Sequence, residues 1–395
     1  MNKEIITFKP DEQLIEWMTD IRRKIHQNPE LAFNELRTAE FLATKLDELE
    51  IPYRRGIAKT GVVATLGEKT SSGLTVALRA DMDALPITEE TNLPFSSGNP
   101  GVMHACGHDG HMAIVLGAAA LLKKQPSLPG RVVLLFQPAE EDEGGAKKMI
   151  AEGALDGVDA IFSGHIERHN AVGEIAVQPG IISAYTDDFT ITIRGPGGHA
   201  AKPHESPDCI VAACSLVNTM QTLVARETNP VYPAVVTVGK LIGGTASNVI
   251  ADHVTLEGTI RTTLPEAREK IFAGVKRMVK AVQELYGVKT DIEVTTGYPP
   301  VVNDPGSVEV ARKAAVQTVG EMGIRTQPYP SLGGEDFSFF LQKIPGCFAR
   351  FGARRNDLVN GNPHSSTFDF DEGVLPVAAE YLARCAFLFL SDSGR

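Results

Sequence analysis

Cys106, His108, Glu140, Glu141, His165 and His364 are the residues of this chain whose types could do chemistry together. Cys106 and His108 lie in His104-Ala105-Cys106-Gly107-His108-Asp109, a spacing that lets both side chains point one way from an extended segment. Glu140 and Glu141 end Gln137-Pro138-Ala139-Glu140-Glu141, His165 ends Ser163-Gly164-His165, and Asp81 and Asp83 lie in Arg79-Ala80-Asp81-Met82-Asp83. Thiolate, imidazole and carboxylate together suit zinc, or manganese where oxygen donors dominate. Convergence would gather Cys106, His108, Glu141 and His165, with Asp81, Asp83 and Glu140 nearby; His364, in Asn362-Pro363-His364-Ser365, completes such a set. Two metals need about this many donors and hold a water between them. Of the adjacent glutamates, one can bind metal while the other takes the proton of that water.

Each residue alone has a plainer reading. A loop histidine is more often structural than a ligand, a lone cysteine is usually a small buried hydrophobe, and paired glutamates usually form a solvated face. Here Glu140-Glu141 follow an apolar run instead of lying on a surface helix. His26, His169 and His253 lack such context and read as surface or structural residues; His111 shares a helical face with His108 and is a weaker candidate.

The order of elements is what would bring the clusters together. Asp11–Glu50 has helical spacing, with Leu14, Trp17, Met18, Ile21 and Ile25 apolar, a break at Asn28-Pro29 and a second helix near Glu35–Leu49. Gly61–Leu66, Leu74–Leu78, Arg131–Phe136 and Asp159–Phe162 read as buried parallel strands, and Ala113–Lys123 as a small-residue helix. Polar clusters follow the last three of these runs, and the cysteine cluster precedes the helix. In open α/β sheets ligands bind beyond the carboxyl ends of the strands. Near Ala184 the pattern changes to β-α-β-β-α-β, with strands at Asp188–Arg194, Ala234–Leu241, His253–Thr262 and Thr290–Thr295 and helices at Pro207–Arg226 and Pro265–Tyr286. The expected fold is therefore α/β: a mostly parallel-sheet catalytic domain with helices on both faces, residues 1–183 and 297–395, interrupted by a ferredoxin-like domain, residues 184–296. Helices at Ser307–Met322 and Val377–Leu390 return the chain to the first domain.

Composition bounds the partners. A length of 395 residues favours two domains. A formal charge of −11 without a basic cluster argues against nucleic acid. Met1 to Gln13 lacks the apolar core of a signal peptide, and apolar runs such as Ala113–Leu122 fall short of the roughly 20 residues of a membrane helix. Five cysteines in so long a chain make no disulfide framework, which points to a reducing cytoplasm. No G-x-S-x-G, H-E-x-x-H or Walker A sequence occurs. Gly195-Pro196-Gly197-Gly198-His199-Ala200 fits a dinucleotide pattern, but Lys202-Pro203 interrupts the helix that must follow.

These residues also carry a resemblance. Arg79–Pro86 (RADMDALP), His104–His111 (HACGHDGH), Gln137–Glu141 (QPAEE), Gly333–Phe337 (GGEDF) and His364–Glu372 (HSSTFDFDE), in this order, resemble the amidohydrolase branch of the M20 metallopeptidases. That branch includes hippurate hydrolases, N-acyl-amino-acid amidohydrolases and auxin-conjugate hydrolases. The resemblance implies a pair of divalent ions, manganese or zinc with cobalt or nickel as substitutes, on Cys106, His108, Glu141, His165 and His364. It implies Glu140 as the general base, beside which Asp81 and Asp83 are expected as supporting carboxylates. It makes the inserted domain a lid that commonly dimerises, so a homodimer is expected. There, His199 matches the family histidine that polarises the scissile carbonyl, often in the partner subunit, and Asn248 a position lining the substrate site.

The chain departs from that pattern after His165, where Ile166-Glu167-Arg168-His169 replace apolar residues, and at Ala251, which stands where proline is usual. The first departure makes Arg168 a candidate contact for a polar or anionic part of the substrate. The leading expectation is metal-dependent hydrolysis of N-acyl amino acids or related small amides. The alternatives are a dipeptidase or another C–N hydrolase on the same centre, a catalytically silent metal-binding protein, and a cysteine hydrolase using Cys106 and His108.

Overall fold

Leu14, Met18, Ile21 and Ile25 are buried along one face of the first helix, α1 (Glu12–His26), and Asp11 caps it by accepting the Leu14 amide at 2.9 Å. The computed structural model describes residues 7–68, 73–141, 144–355 and 361–391. After α1 come α2 (Leu36–Glu48), β1 (Tyr53–Ile57), β2 (Gly61–Leu66), β3 (Thr75–Asp81), α3 (His108–Lys123), β4 (Arg131–Gln137), α4 (Gly145–Ala151), β5 (Ala160–Glu167), β6 (Ile175–Ala176) and β7 (Gly180–Ile181). A second run holds β8 (Tyr185–Arg194), β9 (Gly198–His199), α5 (Cys209–Thr222), β10 (Ala234–Gly243), β11 (Val249–Ile250), β12 (His253–Thr262), α6 (Pro265–Tyr286) and β13 (Lys289–Thr296). The chain ends through β14 (Val302–Asn303), α7 (Pro305–Val319), β15 (Ile324–Arg325), α8 (Ser338–Leu341), β16 (Gly346–Gly352) and α9 (Val374–Ser391). These elements form two compact units: one of Met1–Gly180, Val301–Pro328 and Asp336–Arg395, the other of Ile181–Pro300 and Tyr329–Glu335.

The sheet of the first unit has the order β1-β2-β4-β3-β5-β16-β6-β15. Its centre, β4-β3-β5-β16, is parallel throughout, so these strands end along one edge. All of β3 is buried, as its continuous apolar run requires, and each fully buried side chain such as Leu78 contributes about 1.5–3 kcal/mol. β2 departs from the parallel strand its composition suggests: it is antiparallel to both neighbours. Its connection to β1 is a tight turn through Ala58 and Lys59, both at positive φ, and so short a link permits only an antiparallel pair.

From Met112 to Leu122 helix α3 is apolar on all sides, as its enclosure by α1, α9 and the sheet requires. Gly117 is its closest approach to α1: a Cβ there would stand 2.1 Å from Met18 Sδ. Two helical stretches, Cys209–Glu227 and Val374–Ser391, have the length and apolarity of a membrane span. Burial accounts for the second, since Leu375, Ala379, Leu382 and Ala386 of α9 are fully enclosed.

The second unit is a four-stranded antiparallel sheet in the order β10-β12-β8-β13, the ferredoxin-like arrangement. Alternation on β8 puts Phe189, Ile191 and Ile193 into the core beside Leu216 of α5 and Val275 of α6.

Candidate metal centre

The strands run further than their apolar stretches. β3 continues through Asp81 because β4 accompanies it to Gln137, and β5 continues through His165 to Glu167 because β16 pairs Arg350 with His165 and Gly352 with Glu167. Asp81 and His165 thus belong to strands. α3 begins at His108, not at Ala113, and its cap, Gly107, has φ 101°, a conformation that glycine adopts without a Cβ penalty. Cys106 and His108 therefore meet around a helix start and not along an extended segment.

The structure brings the expected donors together. Cys106 Sγ is 3.3 Å from His165 Nε2, His108 Nε2 is 3.8 Å from Glu141 Oε1 and 3.9 Å from Glu140 Oε2, and His364 Nε2 is 3.4 Å from Glu141 Oε1. Donors on one zinc, roughly 2.0–2.3 Å from the metal, stand about 3.3–3.8 Å apart, so these separations suit a shared ion. Cys106, His108 and His165 form one compact group; Cys106, Glu141 and His364 form another. Cys106 belongs to both. His108 Nε2 and Glu141 Oε1 are shielded from solvent and make no hydrogen bond among the described residues. Such orphaned acceptors are costly unless a cation is their partner, and in this respect the residues fit the metal pair.

Hydrogen bonds behind the donors fix their orientation. His108 Nδ1 lies 2.9 Å from the carbonyl of Asp83, and His165 Nδ1 lies 2.8 Å from that of Ile166. A carbonyl can only accept, so both rings carry a proton on Nδ1, and Nε2 is the atom turned to the centre. Asp83 also accepts the Glu141 amide at 3.0 Å, which makes it a support for two donors. Both nitrogens of His111 are engaged, by Asp81 and by the Ile166 amide, so His111 supports the centre without being free to join it.

Burial pushes the Cys106 thiol well above its ordinary pKa, and the charge of Glu141 adds to the rise. Activation of a cysteine nucleophile needs the opposite shift. His165 is held well below its usual range, first by burial and then by His111 and Arg350. Asp81 stays well below the usual carboxylate range although burial opposes this, because His108, His111 and Arg79 surround it.

Two residues of the site have left-handed backbone, Ala139 (φ 54°) immediately before Glu140, and His364 (φ 63°) itself. Such strain at non-glycine residues costs about 1–3 kcal/mol and persists where surrounding contacts impose it. Glu35 Oε1 accepts the Ala139 amide at 3.0 Å, and the His364 amide donates to the Ala105 carbonyl at 2.8 Å. The second bond ties the His364 loop to the Cys106 segment.

The sequence pattern that describes peptidase family M20/M25/M40 matches residues 77–387. The chain belongs to this family. It is 40% identical to the N-acetyl-L-cysteine deacetylase of Bacillus subtilis over 397 residues, covering 99% of this chain and 94% of that protein. It is 39% identical over 399 residues to the Arabidopsis thaliana IAA-amino acid hydrolase ILR1-like 5, covering 99% of this chain and 91% of the relative. Among solved structures it resembles the Bacillus subtilis YXEP protein, a dinuclear metal-binding peptidase of the M20 family, with TM-score 0.82 and 36% identity over 96% of this chain and 99% of that one. This M20 chain is accordingly a metal-dependent amidohydrolase.

Other expected residues lie elsewhere on the M20 scaffold. His199 and Asn248 are neighbours in the second unit, where His199 pairs with Val249 and the Ala200 amide donates to the Asn248 carbonyl at 3.1 Å. His199 Nδ1 accepts the Ala201 amide at 3.1 Å, which leaves its proton on an exposed Nε2. Arg168 is not free: it donates to the side chain of Asn362. His26 is fully buried, with Nδ1 2.8 Å from Asp109. A buried network of Arg79, Asp81, Gln137 and Asp336 is absent from the reading of the sequence. Arg79 bonds Asp81 at 2.7 Å, Gln137 at 2.9 Å and Asp336 at 3.0 Å, and the Asp336 amide donates to Glu140 at 3.3 Å. The motifs RADMDALP, QPAEE and GGEDF contain all of its members, but nothing in their spacing shows that they touch.

Proposed function

We propose that this enzyme hydrolyses N-acyl amino acids and related small amide conjugates with two manganese or zinc ions held by Cys106, His108, Glu141, His165 and His364. The observation that carries this reading is the pair of donor groups that share Cys106. Two ions there would polarise the acyl carbonyl and lower the pKa of an attacking water. Glu140 accepts the proton of that water and passes it to the leaving nitrogen. The Asp336 amide, 3.3 Å from Glu140 Oε1, holds its carboxylate in place. His199, with its proton on Nε2, donates to the oxygen that gains charge, and Asn248 lines the same region of the second unit.

The second unit serves as lid and dimerisation domain in this reading, supported by exposed apolar residues Ile210, Val211, Leu241, Ile242 and Val249. Five free cysteines suit a reducing cytoplasm, and the negative charge suits small-molecule substrates over nucleic acid or membrane. Purified protein is stripped with a chelator, reloaded with manganese, zinc, cobalt or nickel, and given a panel of N-acyl amino acids and dipeptides. Acyl-amino-acid hydrolysis that returns with metal is the expected result. Activity that survives complete metal removal overturns the reading, and activity confined to dipeptides replaces it with a dipeptidase.

A further inference from the structure

Arg350 is a cation on an interior strand of the first unit. β16 lies between β5 and β6, and the register pairs Arg350 with His165 on one side and Ala176 on the other. Paired residues of parallel strands present their side chains to the same face, about 4.8 Å apart. Arg350 therefore stands beside His165 on the face where His165 meets Cys106. Its side chain is half-buried, its Nε is shielded from solvent, and that nitrogen makes no hydrogen bond among the described residues. Phe348, two residues earlier on the same face, packs its ring 5.4 Å from Arg350 Cζ.

The other arginines of this region are committed. Arg79 is bound by Asp81, Gln137 and Asp336, and Arg168 by Asn362. Arg350 has neither a hydrogen bond nor an ion pair among the described residues. A shielded guanidinium nitrogen without an acceptor is costly, because the water it gave up is not replaced. A ligand that brings the acceptor removes that cost, and the planar fork of N–H donors matches a carboxylate in two-point fashion.

We infer that Arg350 is a specificity-determining residue that receives a carboxylate of the substrate, so that the amides cleaved carry a free carboxylate close to the scissile bond. In an N-acyl amino acid the α-carboxylate is attached to the carbon that follows the scissile nitrogen. Arg350 and His165, paired across adjacent strands, would then receive the carboxylate and the amide of one substrate. The inference rests on the amidohydrolase reading of the Cys106–His165 centre, and it moves the anionic contact from Arg168 to Arg350.

The test compares N-acyl amino acids with their carboxamides, which lack the charge. Metal-loaded enzyme should prefer the acid in kcat/KM by about tenfold or more. Arg350→Gln should bring that ratio near one, chiefly through KM of the acid, and Arg350→Lys should restore part of it. A merely structural role for Arg350 would depress acid and carboxamide alike. A second measurement is independent of turnover: calorimetric titration of Glu140→Gln protein with the acid, with and without Arg350→Gln, should show at least about tenfold weaker binding in the double variant. An acid preference and an acid affinity both unmoved by Arg350→Gln overturn the inference. If metal-loaded enzyme cleaves neither compound, the hydrolase reading fails, while the titration still decides whether Arg350 binds a carboxylate.

Discussion

His111 Nε2 accepts the amide N–H of Ile166 at 3.0 Å. Its other nitrogen must therefore carry the proton, and it donates that proton to Asp81 at 2.6 Å. The ring thus bridges β3 and β5 directly behind His165, whose own ring centroid is 4.6 Å away. His111→Phe keeps the volume and removes both bonds. We expect metal affinity to fall about 10–100-fold, measured by competition with a chromogenic chelator. Unchanged affinity, or complete loss of a metal as expected for a donor variant such as Cys106→Ala, would contradict a supporting role.

Glu140 and Glu141 are adjacent but differently held. Glu140 accepts from the Asp336 amide, whereas Glu141 Oε1 has no hydrogen bond among the described residues and faces His108 and His364. Glu140→Gln preserves shape and removes the base, so turnover should fall by about 10²–10⁴ with metal content nearly normal. Glu141→Ala should lose metal as well as rate. Elemental analysis beside initial rates separates the two; equal metal loss in both variants would sink the division of roles.

The centre was partly legible because parallel strands place their ends side by side. Asp81, Glu141 and His165 each follow or end an apolar run, so their convergence could be read without knowing the strand order. Asp336 could not be reached that way. It bonds Gln137 across 199 residues, and a buried carboxylate looks like any other until its partners are known. Strand β16 was missed for a related reason: Gly346-Cys347-Phe348-Ala349-Arg350-Phe351-Gly352 carries an arginine in the middle, which reads as solvent-facing. That arginine's neighbour, His165, is visible only in the register.

His26 sits in a charged cluster beneath the start of α3. Burial works against its charge, yet the hydrogen bonds that His26 donates to Asp109 and Glu89 raise its pKa from 6.5 to about 9, with Arg22 opposing and His104 and Phe95 also against the ring. For Glu89, burial is outweighed by His26, Thr91 and the Ser97 amide, and its pKa falls from 4.5 to about 2. A raised histidine stabilises fully below its unfolded value, near 6.5, and that contribution disappears as pH rises through 9. A lowered carboxylate stabilises above 4.5, and its contribution disappears as pH falls through 2. The cluster is therefore strongest between pH 4.5 and 6.5. The His26 share, on the order of 3 kcal/mol, should appear as a fall in melting temperature between pH 6.5 and 9.5. His26→Gln should flatten that fall. An unchanged pH profile in this variant would mean that the cluster carries no linked proton.

His199 gives the last expectation, and its tautomer decides what kind of residue it is. The Ala201 amide points at Nδ1, so the ring already spends its lone pair inside its own turn and presents only the Nε2 proton outward. A ring in that state can donate to a developing oxyanion but cannot ligate through Nε2 without losing its proton. His199→Ala should lower kcat by about 10²–10³, the usual loss for one oxyanion donor, while both metals stay bound. His199→Gln, whose amide can donate, should recover part of the rate. If the unit that carries His199 is shared within a dimer, mixed dimers of His199→Ala and Glu140→Gln should regain activity, whereas neither homodimer has it. Loss of metal together with rate in His199→Ala would instead make the residue a ligand and would require the ring to flip out of its bond with Ala201.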